Sequence, residues 1–203
     1  LKLYSDNGVY FANTRTTLSP GAVRITDGHL TLTANTGTYN ADLRKADFYG
    51  NVKISDPLNT IYSDTMFYLR DSSKVTAVSS VKILSNENNS TAFCDSMEYY
   101  RKSRHSILRG LPQLIRIDTA VEKNSPDSIR LDKLFLKAKT VVSTKEDMKQ
   151  LLIATDSVYL LRGRLAIACN DMKYFPNDSI FILKDVPVIW FEENQIFADS
   201  VAV

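Results

Sequence analysis

The 203-residue chain reads as an all-β protein, a stack of antiparallel hairpin repeats bent into an open, two-walled trough. Three observations predict this. A short motif returns along the chain, a second element follows it at a fixed distance, and the apolar alternation changes parity at the motif.

The motif is clearest in Ile61-Tyr62-Ser63-Asp64-Thr65-Met66-Phe67-Tyr68 and in Leu3-Tyr4-Ser5-Asp6-Asn7-Gly8-Val9-Tyr10. It returns at Leu32 to Tyr39 and at Ala92 to Tyr99, with weaker copies around Asp132, Asp171 and Asp199. Aligning the copies on their acidic or amide residue gives the anchors Asp6, Asn35, Asp64, Asp95, Asp132, Asp171 and Asp199. They are spaced 29, 29, 31, 37, 39 and 28 residues apart.

The second element is Gly21-Ala22-Val23-Arg24-Ile25, Gly50-Asn51-Val52-Lys53-Ile54 and Ser79-Ser80-Val81-Lys82-Ile83. Its central valine stands 17 residues after the anchor in all three, and the same offset reaches Pro112 and Val188. The unit from Asp132 to Asp171 breaks the rule. Its polar stretch Ser143 to Gln150 predicts a longer loop between strands, and Glu122 to Asp127 predicts an exposed turn. Neither suits an interdomain linker, so residues 1–203 are expected to form one domain of about six hairpin repeats. The seventh unit stops at Val203 just after its anchor, which predicts that the natural chain continues.

Each unit holds two runs rich in Val, Ile, Thr, Tyr and Phe between polar turns, the signature of a β-hairpin. In the second run Phe48, Val52 and Ile54 share a face with the small Gly50. In the first, Ile61 and Ser63 precede Asp64 while Met66 and Tyr68 follow it, so the apolar face switches parity. A flat strand with its two-residue period cannot do this. A bulge or bend at the anchor restores the face, with Asp or Asn bonding the freed backbone. Small residues (Ala34, Ser63, Ala198, Gly21, Gly50, Ser79, Gly110) suit a tight corner. One wall alone cannot bury its apolar face, so the array holds together only as a stack.

Composition removes several functional classes. A net charge of +2, from 25 basic and 23 acidic residues without like-charged blocks, gives no nucleic-acid footprint. No run of about 18 apolar residues suits a membrane-spanning helix. Only His29 and His105 occur, in different units and beside no cysteine pair, which speaks against a zinc site or a histidine-based nucleophile. No phosphate-binding or nucleophile-elbow motif appears, and no carboxylate pair is singled out for glycoside chemistry. No cofactor, metal or catalytic residue is expected. Cys94 and Cys169 fall two units apart, about 19 Å at the usual strand spacing, and are expected as two free buried thiols.

The Ser-Asp-x-x-x-Tyr strands and Gly-x-Val-Lys-Ile strands, repeated over nearly the whole chain, resemble the LptA/OstA family of lipopolysaccharide-transport proteins. The matches are clearest at residues 46–54 and 62–68, and residues 185–200 look like the longer OstA-like proteins of the Bacteroidetes type. The resemblance implies a periplasmic β-jellyroll, with outer-membrane association as a further expectation. Its apolar groove would carry lipopolysaccharide or lipid A chains between the two membranes. It also implies end-to-end strand pairing with other Lpt-type envelope proteins. Lys173 and Lys184 fall where the pattern wants apolar side chains, which predicts an interrupted groove near the C-terminal units.

The expected groove residues are Val23, Ile25, Leu32, Phe48, Val52, Ile54, Ile61, Met66, Val81 and Ile83. A closed, self-filled core shares the same alternation and stays open as the alternative, in which the chain is a ligand-free structural or adhesive repeat. The acidic column is expected to stabilise bends rather than hold metal, because successive anchors sit about 9–10 Å apart. Arg24, Lys53 and Lys82 recur at one position, either as a solvated outer face or as a rail for lipid phosphates. Open strand edges at both ends predict head-to-tail self-association as well.

Overall fold

The computed structural model describes residues 2–26, 29–86, 89–122, 125–146, 149–178 and 180–202. Along them the chain runs back and forth across one corner. β1 (Lys2–Ser5) and β2 (Val9–Phe11) flank it, followed by a 3-10 turn (Ala12–Thr14) and the return through β3 (Thr16–Ser19) and β4 (Val23–Thr26). β5 (Thr31–Ala34) and β6 (Thr36–Asn40) cross again. Then β7 (Lys45–Ser55), β8 (Asn59–Leu69), β9 (Lys74–Ser85) and β10 (Ser90–Tyr100) pass the corner unbroken. β11 (His105–Arg109) with β12 (Gln113–Glu122), and β13 (Ser125–Lys137) with β14 (Thr140–Glu146), are two split crossings. β15 (Lys149–Arg162) and β16 (Leu165–Phe175) are continuous. β17 (Ile180–Lys184) with β18 (Val188–Phe191), and β19 (Asn194–Phe197) with β20 (Ser200–Ala202), complete the stack. Six continuous strands and seven split pairs make thirteen antiparallel rungs of one sheet.

The ladder pairs separate two walls. The first takes β2, β3, β6, one half each of β7 to β10, then β11, β14, one half each of β15 and β16, β17 and β20. The second takes β1, β4, β5, the other halves of β7 to β10, then β12, β13, the other halves of β15 and β16, β18 and β19. The apolar faces of the two walls meet inside the bend.

The corner has a counting rule. Phe48 pairs with Met66 and Val52 with Ser63, so four steps on β7 face three on β8. Ala77–Val81 faces Cys94–Met97 in the same way, and Ala154–Val158 faces Cys169–Met172. Four steps keep both ends on one face of a strand, whereas three steps put them on opposite faces. The three-step rung must therefore turn as it passes, and the four-step rung must absorb one extra residue.

The extra residue sits on the partner strand, not at the anchor as the sequence suggested. Two consecutive residues there take left-handed conformations: Gly50 and Asn51 (φ +74° and +48°), Ser79 and Ser80 (+67° and +54°), and Gly110 and Leu111 (+84° and +53°). Asp156 and Ser157 follow at +66° and +56°, and Asp185 and Val186 at +59° and +56°. Glycine suits this slot for two reasons. It tolerates the positive φ, and a Cβ on Gly50 would stand 2.7 Å from Asn35 Nδ2, while one on Gly110 would collide with the Asp95 carboxylate.

Two anchors are corrected. The fifth three-step corner runs from Ala138 to Val141 through Lys139, and Asp132 instead pairs with Asp118 within the β12–β13 ladder. The sixth turns at Asn170, which leaves Asp171 one residue into the next wall, opposite Lys184. The inward residues there are thus Met172 and Tyr174 against Leu183 and Phe181, while Lys173 and Lys184 point outward; they do not interrupt the apolar face. Nor is the added length a loop at 143–150, where the ladder runs on to Lys145–Gln150 and Glu146–Lys149. It lies in the β12–β13 hairpin, which extends past its neighbours as far as the pair Glu122–Ser125.

Candidate functional site

Inside the bend the apolar side chains form layers ordered by distance from the corner. The layer at the corner is sealed: Val23, Phe48, Val52, Met66, Val81, Met97, Val141, Val158 and Met172 are all buried. Gly37 lies in this layer with room for little more than hydrogen, since a Cβ there would be 3.1 Å from the Phe48 ring. Ser63 is buried among them, its Oγ donating to the Thr65 carbonyl oxygen at 3.0 Å.

The next layer divides the stack. On the second wall Ile25, Ile54, Ile61, Ile83 and Leu114 are only half-buried, and Tyr68, Val75 and Tyr99 match them on the first. From β13 to β18 the equivalent apolar residues are buried: Leu136, Leu160, Ile167 and Ile189 on the second wall, Leu152, Tyr174 and Phe181 on the first. The Tyr174 and Phe181 rings stack at 4.3 Å with planes 8° apart. All ten groove residues named from the sequence face this interior. Six of them (Val23, Leu32, Phe48, Val52, Met66, Val81) are buried, and the four isoleucines line its half-open part. The sequence reading missed Tyr68, Val75, Tyr99 and Leu114, which the parity rule reaches once the corner is placed.

A cavity of about 40 Å³ lies between the walls where the two parts meet, with Leu114, Leu136, Leu152, Leu160 and Met172 at its floor. It has room for about one water molecule and none for an acyl chain, so the walls must part before a lipid enters there.

The anchor residues occupy the outside of the corner. Ser79 Oγ donates to Asp64 Oδ2 at 2.8 Å, and the Asn35 N–H donates to the Gly50 carbonyl at 2.9 Å. Asp95 closes over Gly110, and Asp6 lies within 3.9 Å of the position a Gly21 Cβ would take. Asp199 falls between β19 and β20. At the fifth corner the charges are exchanged: Lys139 on the three-step rung bonds Asp156 on the four-step rung, Nζ to Oδ2 at 2.9 Å. Each of that pair holds the other charged, the hydrogen bond raising the lysine and lowering the carboxyl. Among the described residues no three His, Cys, Asp or Glu side chains gather as metal ligands do.

Arg24, Lys53 and Lys82 point away from the trough. Lys53 lies over the Tyr62 ring at 5.6 Å and Lys82 over Phe93 at 5.8 Å, each aromatic coming from the next rung. Such a row can serve an outer partner but not a lipid lying inside. Cys94 and Cys169 are free and buried in the corner layer. Desolvation, with Asp95 beside it, pushes the Cys94 thiol up to about 12; desolvation and Asp171 push Cys169 to about 11, so both stay protonated and inert.

Comparison with known proteins adds the biological setting. No curated protein sequence matches the chain significantly. Among solved structures, LptH of Pseudomonas aeruginosa, the LptA-homologous periplasmic component of the lipopolysaccharide transport device, aligns over 65% of this chain and 92% of its own. The two are 15% identical, with a TM-score of 0.49. The family model described as lipopolysaccharide-assembly, LptC-related, matches residues 1–109, ending with the last residue of β11. That span is more than half of the chain, so the protein belongs to the LptC-related family of lipopolysaccharide-assembly proteins and serves lipopolysaccharide transport.

Proposed function

We propose that the trough between β4 and β12 is the lipid path, and that the protein acts in the periplasm as a carrier rather than a catalyst. One observation carries this reading. Ile25, Ile54, Ile61, Ile83 and Leu114 point inward yet stay only partly buried, so the fold leaves an apolar strip partly uncovered, interrupted by the buried Leu32 and Ala92, and most of it lies where the family matches. Each acyl methylene buried against it contributes about 0.8 kcal/mol, so a few suffice for useful affinity. The sealed corner layer, with Val52 and Val81 each 1% exposed, is the floor on which a chain would lie.

The end strands supply the partners. β1 and β2 leave one edge unpaired among the described residues, and β19 and β20 leave the other. Either edge can add a strand from another Lpt-type protein or from a second copy, extending the trough.

The test replaces Ile54 and Ile83, not the sealed valines, because a carboxylate at Val52 or Val81 would unfold the corner. The parent and the Ile54→Glu/Ile83→Glu variant are purified from a lipopolysaccharide-producing envelope, extracted, and analysed by mass spectrometry. Lipid A species on the parent that are absent from a cooperatively folding variant are the expected result. A folded parent that never carries lipid overturns the proposal.

A further inference from the structure

We infer that the mouth of the trough at its midpoint is a headgroup site for a phosphorylated lipid, formed by Arg116 and Arg162. This rests on the lipid path proposed above and adds the anionic end of the ligand to it.

Cross-strand register places the two arginines. Ser90 pairs with Arg116, Arg116 with Leu134, and Leu134 with Arg162, so four adjacent rungs contribute one row across the second wall. Two strand spacings of 4.7–4.9 Å put the arginines about 9–10 Å apart. The row faces inward: Ser90, Arg116 and Leu134 line the small cavity between the walls, and Arg162 shares the face of the buried Val158 and Leu160. Directly beneath lies the apolar row Ala92, Leu114, Leu136 and Leu160. Further toward the N-terminus the same rim level holds Ser85, Asn59 and then Asp56, whose N–H donates to the Asn59 carbonyl at 2.9 Å. Among the described residues of this row, positive charge first enters at Arg116.

An apolar floor under a rim with two guanidinium groups matches one ligand chemistry, an acyl tail joined to a phosphate-bearing head. Arginine suits it because its planar fork binds phosphate oxygens in pairs and is weakly hydrated. The position also fits, since it is here that the half-open trough gives way to the sealed one. A tail coming from the N-terminal side must stop or part the walls at this place.

A carboxylate competes for Arg162. Asp132 Oδ2 accepts from Arg162 Nε at 2.9 Å, both side chains being roughly a quarter exposed at 25% and 29%. An entering phosphate shares that guanidinium or displaces the aspartate. Asp132, misassigned to the corner by its place in the sequence, is on this reading an internal placeholder for the headgroup.

The experiment measures equilibrium binding of the full chain to three probes: lipid A carrying both phosphates, the same lipid dephosphorylated, and inorganic phosphate. The parent is expected to bind the phosphorylated lipid at least tenfold more tightly than the dephosphorylated one. The Arg116→Gln/Arg162→Gln variant loses that preference and binds both as the parent binds the dephosphorylated form. Arg116→Lys/Arg162→Lys, which keeps the charge, retains most of it, and Asp132→Asn strengthens binding of the phosphorylated lipid alone by a few fold. Equal binding of both lipids by the parent, or a preference that survives in the glutamine variant, overturns the headgroup site and leaves the lipid path intact. Inorganic phosphate bound as tightly as the lipid makes this a free-anion site and overturns the lipid assignment. Failure of the parent to bind either lipid removes the lipid path and this site together.

Discussion

The two parts of the stack are built on one corner, yet one remains a trough and the other has become a core. From β4 to β12 most of the second layer of inward residues is only partly buried, Leu32 and Ala92 being the buried members of its second-wall row. From β13 to β18 its apolar residues are all buried, with Leu160 and Ile167 at 0% and Leu136 at 1%. Both parts keep the four-against-three count and inward alternation. What differs is the side chains facing each other above the corner. In the later rungs Leu152, Met172 and Tyr174 of one wall line one small cavity together with Leu134, Leu136 and Leu160 of the other. In the earlier rungs the isoleucines of one wall and Tyr68, Val75 and Tyr99 of the other pack against the corner layer and stay partly exposed. One repeat therefore yields a groove or a sealed core according to whether its second layer spans the bend.

Truncating that second layer tests the distinction with the largest effect. Leu160→Ala removes side-chain volume from a sealed interior and should destabilise the chain by about 2–5 kcal/mol. Ile83→Ala, at the same level in the open part, loses only partly buried surface and should cost roughly 1 kcal/mol. Urea denaturation of each full-length variant reads both. Equal losses would mean the two interiors are closed alike, and the trough would lose its physical basis.

The corner offers a second comparison. In the earlier rungs the first left-handed slot holds Gly50, Ser79 and Gly110, the glycines adopting it freely, and the second holds Asn51, Ser80 and Leu111, whereas the last corner places Asp185 and the β-branched Val186 there. A β-branched residue at φ +56° is strained, and Val186 is 72% exposed, so it gains little packing in return. Gly110→Ala should cost about 1–3 kcal/mol, because the new methyl meets both the wrong φ and the Asp95 carboxylate. Val186→Asn should gain about 1 kcal/mol, since asparagine visits this region more easily. Thermal unfolding at fixed pH decides the signs. A stabilising Gly110→Ala or a destabilising Val186→Asn would mean that the corner is held by something other than local backbone preference.

Much of this architecture was legible from the sequence. The 17-residue offset marks where the wall changes, and the parity switch at Asp64 forces a corner. The reading failed where an acid was taken as the marker of the corner. At the fifth corner Lys139 stands in the anchor's place and Asp156 in the glycine's, so the charges are exchanged while the geometry is kept. The nearest acid, Asp132, drew the register away, and the long β12–β13 hairpin hid the shift within a 37-residue step. The one-residue slip at Asp171 followed from the same rule and turned Lys173 and Lys184 falsely inward. How far the trough is open was not legible, because alternation sets which face a side chain takes and not whether the opposite wall reaches it. The Arg116 and Arg162 pairing was hidden for a related reason: it comes from strands 46 residues apart in the chain, joined only through Leu134.

The smallest effect separates the two parts by the sign of its pH dependence. In the open part Glu98 bonds Lys74 at 3.0 Å, with Arg109 at 3.7 Å, and the hydrogen bond from Lys74 holds its carboxyl below the usual range. In the sealed part Asp171 is shifted the other way, first by desolvation and then by the neighbouring Asp185 carboxyl, with Lys184 only partly offsetting them. A carboxyl lowered by folding adds stability above its unfolded pKa and loses it as pH falls through the folded value. A raised one favours the fold while protonated, and that contribution is lost as pH rises through the folded value. Glu98→Gln should therefore destabilise the chain at neutral pH by about 0.5 kcal/mol, and Asp171→Asn should stabilise it by no more than that, both side chains being near the surface. Both differences should vanish once the pH falls below the carboxylate range. Urea midpoints at neutral and acidic pH read the two signs. If both variants shift the midpoint in the same direction at neutral pH, the carboxyls of the two parts do not oppose each other, and the contrast is confined to apolar packing.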